Sequence, residues 1–193
     1  MIKILFFLCL LTPAAAFASW YDIDGSGQSQ PLLKGEFKQQ KKTKHLRRPI
    51  KSSGTAVLSE KYGVIWQTLT PVKSTMVITS KQIKTIDSQS RQKIIAPGSD
   101  LNTLFSNALS GNWTSLKNHF ELSTAPSEDN ICVTMLPTSA MVKKTFKQML
   151  VCGDKAKITS LNIVEANGGT TYIEITLAPA TALTQAEQAL FND

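Results

Sequence analysis

Histidine is scarce in this chain: two in 193 residues, His45 and His119. No nucleophile elbow, phosphate-cradling glycine loop or metal-binding helix motif accompanies them. Carboxylates are few and scattered, 14 against 21 lysines and arginines. Glu36 and Glu174 fall on predicted strands, but nothing in the sequence pairs them. No acid–base or nucleophilic constellation is legible, so neither catalysis nor a cofactor is expected. A lipid hydrolase would need a nucleophile folded beside His45 or His119. Asp22-x-Asp24-x-Ser26 echoes a calcium loop, but the glycine is misplaced and the closing glutamate is missing, and no metal is expected. Aromatic residues, 7% of the chain, are not interleaved with the basic residues, which speaks against nucleic acid.

Long hydrophobic runs are also lacking. Ile4 to Leu11 is too short to span a bilayer as a permanent helix. With Met1-Ile2-Lys3 before it and Ala16-Phe17-Ala18 after it, residues 1–18 read as a cleavable secretory signal. Cys9 sits inside that apolar core rather than at a lipidation site. The expected product is an exported, unanchored protein, residues 19–193, forming one domain. Its net charge of +7 falls to +6 once Lys3 is removed. A basic surface suits nucleic acid, an anionic membrane or an acidic protein, and charge alone does not choose.

Cysteine is rare as well. Past the leader only Cys132 and Cys152 remain, and in an oxidising compartment two thiols predict a disulfide. If Ile131 to Leu136 pairs with Gln148 to Gly153 around a connection centred near Val142, the two cysteines fall opposite one another, within bridging reach.

What the chain does have is strand pattern. Leu33 to His45 alternates Leu33, Gly35 and Phe37 with lysines and glutamines. Lys38, Lys41, Lys42, Lys44, Arg47 and Arg48 make it the most basic region. The lysines serve either as a solvated face that discourages edge pairing or as a docking surface for an acidic partner, with Lys41, Lys42, Arg47 and Arg48 as its contacts. Pro49 and Ser52-Ser53-Gly54 predict a bend, and Thr55 to Ser59 a return strand. Val64 to Leu69 is apolar on both faces, Val64 and Trp66 on one side and Ile65 and Leu69 on the other. Ser74 to Thr79 and Gln82 to Ile86 complete an antiparallel meander.

Pro97-Gly98-Ser99 then stops the chain for a helix. Leu101, Leu104, Phe105, Ala108 and Leu109 form one apolar stripe and Gly111 ends it. This helix either fills the sheet's concave side as core or covers it as a lid. Trp113 to His119 reads as a short helical turn, leading into a strand at Phe120. Ile158 to Glu165 and Thr170 to Leu177 form a hairpin turned at Ala166-Asn167-Gly168-Gly169, where Asn-Gly is a strong hairpin signal. Gln185 to Phe191 is a short terminal helix.

With reaction chemistry missing, binding by shape remains. A strongly curved antiparallel sheet, mainly β with helices, can enclose an apolar cavity beneath a helix. Burial of about 0.8 kcal/mol per methylene lets an acyl chain supply affinity without polar groups. The expected cavity lining is Phe37, Trp66, Leu69, Met76, Ile78, Leu161, Ile163, Ile173 and Ile175; the alternative is that they pack on each other as closed core. The expected lid residues are Leu101, Leu104, Phe105 and Leu109.

The order Leu33-x-Gly35-x-Phe37-x-Gln39, Pro49-Ile50-x-Ser52-Ser53-Gly54, Gly63-x-x-Trp66, Pro71 and Ile78-Thr79 resembles the LolA-like periplasmic outer-membrane lipoprotein carrier family, in its divergent branch. Gly111-Asn112-Trp113, Leu116, Phe120, Met135-Leu136-Pro137 and the Gly-Gly hairpin extend the resemblance over most of residues 30–180. It implies an unclosed β-barrel with a helical lid over an apolar cavity. It further implies a periplasmic carrier of lipoprotein or other lipid, expected as a monomer. Such a carrier is loaded by an inner-membrane exporter or ABC transporter and unloaded to an outer-membrane acceptor. Typical carriers hold the lid through an Arg-Pro pair just before the tryptophan strand. Here Glu60-Lys61-Tyr62 stands there, and Arg48-Pro49 lies a strand upstream, so another polar contact would have to hold a lid.

Overall fold

The structure, a computed structural model, describes residues 32–97, 107, 113–126, 130–154 and 157–192. The leader, the lead-in at 19–30 and Leu101, Leu104, Phe105 and Leu109 lie outside these residues. Among the described residues eleven strands make one antiparallel sheet that is not closed into a barrel. The first six are β1 (Leu32–Lys42), β2 (Ile50–Ser59), β3 (Gly63–Thr70), β4 (Ser74–Ile78), β5 (Gln82–Asp87) and β6 (Gln92–Pro97). The remaining five are β7 (Phe120–Pro126), β8 (Ile131–Pro137), β9 (Phe146–Gly153), β10 (Ile158–Glu165) and β11 (Thr170–Pro179). The described residues also include the short helices α1 (Ala140–Lys143) in the β8–β9 connection and α2 (Gln185–Asn192) after β11, and a single 3-10 turn at Thr114–Leu116.

Each half of the chain is a meander, and the two meet where β1 pairs with β11, from Leu33 opposite Pro179 to Lys42 opposite Thr170. This seam puts β6 and β7 at the two edges. The chain therefore passes from one edge to the other between Pro97 and Phe120. Trp113 and Leu116, in that passage, are buried at 2% and 0% exposure.

The period-2 pattern sorts the apolar residues into two layers. On the inner face Phe37, Ala56, Leu58, Val64, Trp66 and Ile78 continue across the seam into Ile175, Ile173, Leu161, Val151, Met149 and Val133 as one buried cluster. On the outer face Leu32, Val57, Ile65 and Val77 form a second cluster, packed against Leu183, Leu190 and Phe191 of the C-terminal segment. The two-sided apolarity of β3 has this cause: Trp66 faces inward and Ile65 lies beneath α2.

Three local differences from the sequence reading have physical reasons. Ser52-Ser53-Gly54 is strand, not bend; β2 absorbs the irregularity as a register shift between Ser53 and Gly54. A side chain at Gly54 would meet the Gln67 carbonyl oxygen at 1.8 Å, so only glycine allows β3 that close. β1 stops at Lys42 because its pairing with β2 ends at Lys41 opposite Ile50. Gln92–Pro97 adds an edge strand through pairing with β5. The β8–β9 hairpin matches its expected register. Cys132 lies opposite Cys152, and the two are bridged with Cα atoms 4.1 Å apart. The β10–β11 turn matches too, with Gly168 at φ +85°.

Candidate functional site

The inner face gathers eight of the nine residues expected either to line a cavity or to form closed core, and they pack against one another as one core cluster. Phe37, Trp66, Ile78, Leu161, Ile163, Ile173 and Ile175 are 1–7% exposed within the inner cluster, and Met76 packs against it half-buried. Register explains their meeting. Trp66 lies opposite Ala56 and Met76, and the small Ala56 side chain leaves room beside the indole. Phe37 lies opposite Gly54 and Ile175, and its ring stacks on Trp66 with centroids 3.9 Å apart and planes at 25°. Across the seam Leu161 lies opposite both Ile173 and Val151. The face is a continuous hydrocarbon surface with Trp113, Leu116 and Val142 laid against it. Its chemistry is burial of apolar matter.

Leu69 is the exception and lies on the face opposite Trp66. The bulge that seats Gly54 opposite Thr68 and Ser53 opposite Thr70 leaves Leu69 between them. It is 43% exposed and lines an outer-face groove of about 410 Å³ with Glu36, Lys38, Ser53, Thr55, Glu174 and Thr176. A second groove of about 330 Å³ continues from it past Gln40, Lys51, Thr70 and Tyr172. Glu36 and Glu174, unpaired in the sequence, thus meet in one groove. That was not readable beforehand, because only the β1–β11 register, Lys38 opposite Glu174, joins the two segments.

The expected docking cations divide. Lys41 is engaged with Glu165, Nζ to Oε1 at 2.7 Å. Its ammonium is the main cause holding the Glu165 carboxyl below its ordinary value; burial opposes this, and Asn167 and Thr171 add further hydrogen bonds. Lys42, Arg47 and Arg48 are exposed. His45 is exposed in the β1–β2 connection, while His119 is half-buried at the start of β7, its Nδ1 buried without a hydrogen-bond partner among the described residues. Among the described residues no three His, Cys, Asp or Glu side chains are grouped to hold a metal ion. The β2–β3 turn, where carriers of the resembled family place Arg-Pro, is built differently. Lys61 Nζ sits 4.8 Å over the Tyr62 ring, and Tyr62 stacks on Phe191 at 5.7 Å.

No curated protein matches the chain. Solved structures with a similar course include a LolA superfamily protein from Nitrosomonas europaea, at 6% identity and TM-score 0.48, covering 88% of this chain and 92% of that one. A DUF1329 family protein from Desulfovibrio piger is similar at 10% identity and TM-score 0.46, covering 89% and 94%. A chain of the Pseudomonas aeruginosa MucA/MucB complex is similar at 10% identity and TM-score 0.46, covering 89% and 57%. The sequence itself matches the family described as outer membrane lipoprotein carrier protein LolA over residues 29–192. With that match spanning both meanders and the seam between them, the chain belongs to the LolA family.

Proposed function

We propose that this protein is a periplasmic carrier that holds the acyl chains of a lipoprotein, or of another lipid, against its inner face. In this reading it is loaded by an inner-membrane exporter or ABC transporter and unloaded to an acceptor at the outer membrane, with no catalytic step. The observation that carries the reading is the inner face itself. In a member of a lipoprotein-carrier family, an uninterrupted apolar surface runs from Trp66 and Ile78 through Phe37 to Leu161 and Ile163.

Loading in this reading proceeds by repacking. The inner residues bury one another, so cargo must separate side chains that already touch. Met76, Met135 and Met149 lie in or against the cluster, and unbranched thioethers repack at low cost. Each methylene entering would gain about 0.8 kcal/mol, offset by the contacts it displaces. The net affinity is then moderate, which suits a protein that must release what it holds.

The test is to purify the protein from the periplasm, extract it with organic solvent and identify acyl compounds by mass spectrometry. The delipidated protein is then titrated with a brominated fatty acid while tryptophan emission is followed. Co-purified lipid, or saturable quenching, is expected. A folded protein that retains and takes up no acyl compound would overturn the reading.

A further inference from the structure

We propose that one rim of the sheet docks on an anionic lipid bilayer. Five connections among the described residues project from the same end of the strands: β1–β2 (43–49), β3–β4 (71–73), β5–β6 (88–91), β8–β9 (138–145) and β10–β11 (166–169). The antiparallel registers place them there, since Lys42 lies opposite Thr170, Lys41 opposite Ile50, Ser53 opposite Thr70 and Glu165 opposite Phe146. Contacts join four of them into one surface. Lys44 folds over the β10–β11 turn, its Cε 2.6 Å from where a Gly168 side chain would begin. The Ala166 amide donates to the Thr145 carbonyl at 2.9 Å. On the other side the Ser53 and Thr70 hydroxyls bond at 2.7 Å.

Two properties coincide on this rim. Its connections hold large apolar side chains out in water: Leu46 at 43% exposure, Ile50 beginning β2 at 47%, Val72 at 67% and Met141 at 39%. Beside each stand exposed cations: Lys44, Arg47 and Arg48 around Leu46, Lys73 after Val72, and Lys143 and Lys144 after Met141. Of the nearby anions, Glu165 is paired with Lys41 and Asp87 with Arg91, while Glu121 is exposed at the start of the edge strand β7; the exposed cations outnumber them. At the opposite rim the signs are mixed among the described residues, Glu60 beside Lys61, Asp154 near Lys157 and Lys81 in the β4–β5 connection, and Glu187 pairs with Lys34. The charge asymmetry therefore runs along the strand axis.

Bulky apolar tips among lysines and arginines match a bilayer interface, where hydrocarbon enters the acyl boundary and cations meet phosphate. A protein partner fits less well. Interface cores are depleted in lysine and gather their apolar anchors into packed pockets, whereas these four tips are spread over three connections and divided by charges. A fluid surface accepts separate points of insertion. The proposal is independent of acyl carriage, which uses the inner face.

The purified protein is floated with phosphatidylcholine vesicles, with and without phosphatidylglycerol. Binding is expected only to the anionic vesicles, with release by salt. Arg47→Glu with Arg48→Glu should lower partitioning at least about thirtyfold, two contacts' worth. Leu46→Asp with Val72→Asp should weaken it at unchanged melting temperature. In a Val72→Trp variant, emission should shift to the blue and be quenched by brominated lipid when anionic vesicles are present. Absence of binding, equal binding to neutral vesicles, or indifference to both double variants would overturn the proposal. So would binding to polyglutamate that the Leu46 and Val72 substitutions leave unaltered, which would assign the rim to an acidic protein. Fatty-acid uptake by the charge-reversed protein is measured in parallel. Loss of uptake in wild type with vesicle docking intact sinks the carrier reading alone.

Discussion

Replacing Cys132 and Cys152 together by serine separates stability from the inner face. The bridge joins residues 20 apart in sequence, and in the chain-entropy account closing a loop of that size removes unfolded-state freedom equivalent to about 3 kcal/mol. For a chain of this length each kcal/mol moves the melting temperature by about 2–4 °C, so the double variant should melt about 6–12 °C lower. The cysteines alternate with Val133 and Val151, which face inward at 0% exposure. Serine therefore leaves the apolar lining untouched. At low temperature acyl uptake should match wild type, while near-ultraviolet dichroism shows the earlier melt. Reductant should reproduce the loss in wild type and do nothing to the variant. Coincident melting curves for oxidised wild type and the double variant would refute the reasoning.

Further expectations concern polar groups and one turn. Lys84 is 3% exposed on the outer face, opposite Val77 and Ile94, and its Nζ has no hydrogen-bond partner among the described residues. Lys84→Met should stabilise by about 1–3 kcal/mol in urea unfolding, the cost of an unsatisfied buried group; a loss of stability would show that the amine is satisfied. The Lys41 ammonium depresses the Glu165 carboxyl below its ordinary 4.5, so the pair's contribution is complete above pH 4.5 and fades as pH falls through the lower folded value. Glu165→Gln should flatten the acid limb of a stability–pH curve by less than about 1 kcal/mol, because Lys41 is partly solvated. An acid limb equal to wild type would deny the pairing. Gly168 sits at φ +85°, and Gly168→Ala should cost about 1–2 kcal/mol, measurable as a lower melting temperature.

Much of this architecture was legible because strands advertise themselves through period-2 alternation. Leu33-Gly35-Phe37, Val64-Trp66 and Ile173-Ile175-Leu177 each named their inward side, and Asn167-Gly168 named a turn that needs a positive φ. The cysteine register followed from two strand patterns and the distance between them. Ser52-Ser53-Gly54 misled, because small polar residues signal a bend unless a neighbouring backbone demands closeness. Leu69 shows the same period at work: three residues from Trp66 it faces the other way, so alternation itself spoke against placing it with Trp66. The register shift adds only that it stands between Thr68 and Thr70 without a partner on β2. The outer groove that joins Glu36 to Glu174, and the rim that joins Leu46, Val72 and Met141, stayed hidden because only strand pairing joins them.

The sequence by itself determined most of the strand series, the facing of most apolar residues, the disulfide and the likeness to a carrier family, since each depends on residues close together or on a fixed local period. Only tertiary structure decided what meets what across the seam. Pairing between β1 and β11 closes more than a hundred residues of chain, and the energy that selects it is spread over the whole inner face. No local stretch encodes that choice, yet it sets the inner face, the groove and the basic rim.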